Sequence, residues 1–91
     1  MTNQTKQALV IAMPTLGVTE TGGEIKMRRA LADREGAVPA EIVLAYLPHN
    51  EITPFVTWQR NTAEFKSTYW GHYFKAGELD AAIADFEKRG H

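Results

Sequence analysis

Hydrophobic residues recur with two different periods in this chain, and the clearer one lies near its end. Leu79, Ala82, Ile83 and Phe86 fall at i, i+3, i+4 and i+7, which predicts an amphipathic helix over 77–89. Asp80, Asp85, Glu87 and Lys88 are then expected to face outward. Acids lead and Lys88 and Arg89 follow, which suits the helix dipole, and Gly90 stands where a C-terminal cap belongs.

The middle of the chain carries the shorter period. Ala40 to Leu47, AEIVLAYL, is a nearly continuous β-favouring run closed by Pro48, as expected of a strand covered on both faces. Phe55 to Arg60 alternate well enough for a second strand, NTAEFKS makes a hairpin loop, and TYWGHYF, residues 68–74, returns antiparallel. Three sequential antiparallel strands predict a meander. Within it Thr68, Trp70, His72 and Phe74 alternate with Tyr69, Gly71 and Tyr73, and Phe55 and Thr57 with Val56 and Trp58. A glycine inside such a strand signals a close neighbour, either a large ring across the hairpin or a bulge.

The N-terminal half is less regular. Residues 1–7 are polar and expected to fray, and Leu9 to Met13 read as a short buried strand, 8–13, ended by Pro14. PTLGVTETGG is loop-like. Residues 24–36 admit two readings. As a helix they offer good helix formers and Gly36 as a stop, with a thin stripe of Met27, Ala30 and Leu31; as a hairpin arm, Ile25 and Met27 alternate after a Gly22-Gly23 turn. The helix is the stronger of the two. The expected fold is therefore α+β: a small antiparallel or mixed sheet built on the 40–74 meander, with the 8–13 strand as a possible addition, and the C-terminal helix packed on one face of a single domain, 1–91.

Composition narrows what such a domain can do. Ninety-one residues with 44% hydrophobic content build one core, and a domain that small gains from a second copy covering leftover apolar surface. A homodimer is expected on that ground. The absence of cysteine excludes disulfides, thiolate metal sites and cysteine nucleophiles, and it fits a cytoplasmic setting. The apolar run Ala8 to Met13 is too short to span a bilayer, so the chain reads as soluble. A net charge of -1 supplies no field for a polyphosphate backbone. The order helix, three strands, helix over 24–89 superficially matches double-stranded RNA-binding domains. Glu78 and Asp80 at the start of the last helix would nevertheless repel phosphates where those domains need lysine, so nucleic acid is disfavoured as a partner.

No cofactor motif is present, and the three histidines show no metal-ligand spacing. His49, Glu51 and His72 could converge on a ligand or do acid–base work if the 48–53 loop folds over the sheet edge. The aromatic density points elsewhere. Eight of the nine aromatic residues lie between Tyr46 and Phe74, and one helix can cover only one face of that layer. The exposed remainder is expected at Phe55, Thr57, Arg60, Tyr69 and Tyr73, beside the 48–53 loop. That surface predicts a small non-catalytic protein working by protein–protein contact, with a small-molecule binder or minimal acid–base enzyme as the alternative.

Overall fold

The computed structural model describes residues 3–19, 21–31, 40–61 and 68–89. Helix α1, Asn3–Ala12, precedes four strands, β1 (Glu24–Ala30), β2 (Ala40–Tyr46), β3 (Phe55–Asn61) and β4 (Thr68–Phe74). A 3₁₀ turn, Ala76–Glu78, then leads into helix α2, Leu79–Lys88. The strands form one antiparallel sheet in chain order. The α+β class, the meander and the C-terminal helix are as the hydrophobic pattern predicts.

Two elements differ from expectation, and both lie in the N-terminal half. Residues 24–30 are a strand, not a helix, and they enter it through the hairpin that Gly22-Gly23 allows. Gly22 sits at φ +85°, Gly22 N–H donates to the Thr19 carbonyl, and Val18 bridges Glu24. Their period was obscured by a bulge between Ile25 and Met27, where Lys26 is the extra residue. Residues 8–13 are not a strand. Residues 8–12 belong to α1, which also takes in residues 3–7, expected to fray, and Met13 follows its end. The outer edge of β1 is taken instead by Leu16 and Gly17, which bond Ile25 through both its carbonyl and its N–H.

Each face of the sheet has its own core. On the helix face, Ile42, Leu44 and Phe55 pack with Val10 of α1 and with Leu79, Ala82 and Phe86 of α2, and Met27, Tyr46 and Phe74 extend the cluster. On the reverse face, Ile25, Val43, Ala45, Val56 and Trp58 form a second cluster with Leu47. Val43, Leu44 and Ala45 are all fully buried, so β2 is covered on both sides. Among the described residues, no helix is long and apolar enough to cross a membrane.

Two polar contacts fix α1. Lys6 pairs with Asp80 at 3.1 Å, and the buried Lys26 ammonium donates to the Met13 carbonyl at 2.9 Å and to Thr15 Oγ1 at 3.0 Å, with Glu24 at 3.2 Å. A cation thus meets the carbonyl end of a helix that has no basic residue of its own in its last turn.

Candidate functional site: an aromatic cleft on the reverse face

The indole of Trp58 organises the reverse face. Gly71 lies directly beneath it, because a Cβ there would stand 2.5 Å from Trp58 Nε1, and Gly23 meets its other edge with a virtual Cβ 3.1 Å from Cζ3. Only glycine admits so close a ring at position 71, and a side chain at position 23 would press tightly on it. Tyr73 stands edge-on to the indole, centroids 6.2 Å apart and planes at 88°. That geometry favours ring pairs by about 0.5–1.5 kcal/mol beyond area burial. A bulge in the β3–β4 register between Thr57 and Gln59 accompanies Gly71, so both causes expected of a strand glycine operate together.

Beside these rings opens a cleft of about 280 Å³. Leu47, Pro48, Trp58 and Tyr73 form its apolar walls, and Thr21, His49 and Asn50 its polar end. The Asn50 side chain is committed to its own loop, since Oδ1 accepts from the Ile52 and Thr53 N–H groups and Nδ2 donates to Thr53 Oγ1. That Asx turn holds the 47–54 connection, and with it His49, against the cleft. Tyr73 is 53% exposed, the one large ring of the reverse face among those described to remain open to solvent.

The surface expected from sequence is only partly assembled. Tyr73 is on it, but Phe55 and Thr57 are not, being 1% and 0% exposed. The register pairs Phe55 with Phe74, Thr57 with His72 and Val56 with Tyr73, which puts Phe55 and Thr57 under α2 on the opposite face. Arg60 is on the reverse face but occupied, bonding the buried Glu41 carboxylate at 3.4 Å, which also receives a forked contact from Arg28 at 2.8 to 3.1 Å. Tyr69 registers with Gln59, beyond the bulge that breaks the alternation linking it to Tyr73.

His49, Glu51 and His72 do not converge. His49 lines the cleft, Glu51 is exposed away from its lining, and His72 lies on the helix face. There His72 Nδ1 approaches Asp85 Oδ2 at 2.9 Å, Thr57 Oγ1 donates to the same oxygen at 2.5 Å, and Arg89 donates to the Thr57 carbonyl at 2.8 Å. Burial acts to raise the Asp85 carboxyl, but hydrogen bonds from Thr57 and His72 and the charges of His72 and Arg89 outweigh it, so the group titrates below its ordinary value. Burial also lowers the Arg89 guanidinium, with Asp85 opposing, though arginine stays charged wherever the fold exists. Among the described residues, no group of three or more His, Asp or Glu side chains could hold a metal.

Sequence reasoning missed Trp58 as the centre of the cleft and Asp85 as a sheet contact. Gly71 was the usable signal for the first. Asp85 sits on the flank of the α2 stripe beside Ala82 and Phe86, where periodicity alone reads it as outward. No family model matches the chain, and neither a curated protein nor a solved structure does.

Proposed function

We propose that the protein is a non-catalytic cytoplasmic binding module that engages another protein through the reverse-face cleft. The observation that carries this is the half-exposed Tyr73 ring standing against Trp58 at the mouth of an apolar recess. At about 280 Å³ the recess is at the small end for a metabolite site and suits one large side chain of a partner. Interfaces concentrate their binding energy in such aromatic-lined pockets. Thr21 and His49 at the polar end supply hydrogen-bonding groups for the backbone flanking that side chain.

Panning a displayed-peptide library against the immobilised protein tests this. Wild type should enrich peptides carrying a large apolar anchor, and Tyr73→Ser should lose them while keeping its circular dichroism spectrum. Peptides retained equally by both proteins would remove the cleft from the account. Enrichment of nothing, together with quenching of tryptophan emission by small aromatic compounds, would favour a small-molecule binder.

One observation favours an acid–base reading instead: Asp85 orients the half-exposed His72 imidazole through Nδ1, the arrangement by which a carboxylate fixes a histidine tautomer for proton transfer. Loss of activated-ester hydrolysis in His72→Gln, with stability retained, would support it.

A further inference from the structure

The two edges of the sheet are unlike each other. The outer edge of β1 is taken at Ile25 by Leu16 and Gly17, is kinked by the Lys26 bulge and continues into Arg28 and Arg29. Cover, bulge and positive charge are the ordinary means by which an edge is kept from pairing. The outer edge of β4 has little of this. It ends the strand order, no described residue hydrogen-bonds to it, and Thr68–Phe74 contains no Asp, Glu, Lys, Arg or Pro.

We propose that a second copy of this chain adds to the outer edge of β4, pairing antiparallel through the regular stretch His72–Phe74 to give a closed dimer with one continuous eight-stranded sheet. The register with β3 is regular over His72–Phe74, because the bulge takes in Gly71 on its N-terminal side. A two-fold axis through the middle of the stretch sets Tyr73 opposite Tyr73 of the second copy and His72 opposite Phe74. The ring that is 53% exposed in one chain then gains a partner, and cross-strand aromatic pairs favour antiparallel association. Charge selects this partner over the alternatives within the molecule. Two β4 edges meeting over His72–Phe74 bring no Asp, Glu, Lys or Arg within the strands together, two β1 edges would bring cations together, and β4 on β1 is barred where Leu16 and Gly17 already sit. For the same reason association stops at two copies, as an isologous interface requires. This inference does not rest on the cleft reading.

Sedimentation velocity and amide hydrogen exchange over a concentration series test it with Tyr73→Lys, Tyr73→Glu and their equal mixture. Wild type should reach twice the chain mass, with amides within His72–Phe74 gaining protection as the dimer fills. Each variant alone should self-associate roughly tenfold or more weakly, because like charges then face each other across the axis. The mixture should recover dimer, since Lys now faces Glu. Both variants lack the tyrosine wall of the cleft, so recovery in the mixture cannot come from peptide binding. A monomer at every concentration, dimers undiminished in the separate variants, open-ended polymers, or a monomer whose β4 edge takes only an unrelated extended peptide would each overturn the proposal.

Discussion

Gly71 and Trp58 are a matched pair: the indole nitrogen occupies the space that any side chain at position 71 would need, with only 2.5 Å available. Gly71→Ala should therefore displace the ring and cost about 1–3 kcal/mol, the usual range for overpacking. In a Trp70→Phe background the emission of Trp58 should shift to the red as its cover is lost. A variant with unchanged emission and unchanged urea midpoint would show that the ring does not rest there.

Asp85 makes stability depend on acid. Its folded value lies below the ordinary one, so its contribution is fully present above the unfolded value near pH 4 and is lost as pH falls through the folded value. Asp85→Asn should flatten the acid limb of a stability profile measured between neutrality and about pH 2, and cost roughly 1–3 kcal/mol at neutral pH. An acid limb unaltered by the substitution would place the titrating group elsewhere.

Glu41 should be far more sensitive than its outer partner. Its side chain is 6% exposed, and removing it leaves Arg60, 13% exposed, without its carboxylate. Glu41→Ala is expected to cost about 3–5 kcal/mol, whereas Arg28→Ala, at a 45% exposed side chain, should cost about 1 kcal/mol or less. Arg60→Glu, which would probe an interface if Arg60 were free, should instead unfold the domain by setting two carboxylates together. Chemical denaturation of the three variants orders them directly.

Lys26 ties α1 to the sheet. Lys26→Met preserves bulk but leaves the Met13 carbonyl and Thr15 without their donor, for an expected loss of about 1–3 kcal/mol. Helical signal and amide protection in Asn3–Ala12 should fall before the sheet opens. Simultaneous loss of both would mean that α1 is held by Val10 and Met13 packing alone.

The sequence by itself determined α2 and the three strands of the meander. The α2 stripe repeats a single spacing, and the runs of β2, β3 and β4 are set off by Pro48, Pro54 and the turn residues between them, so existence and type of these elements were legible even where the β3–β4 bulge breaks the alternation. It also marked Gly71 as a place of close approach. It did not determine Ala8 to Met13, because a six-residue apolar run satisfies a helix and a strand equally, and residues 8–12 fell to α1, whose Val10 packs into the helix-face core. Nor did it determine Glu24–Ala30, where the Lys26 bulge breaks the alternation that would have identified a strand. The composition of the cleft was decided by tertiary structure alone. Alternation says which residues of one strand share a side, but only the register between β3 and β4 says that Val56, not Phe55, accompanies Tyr73, and a one-residue difference exchanges the two faces.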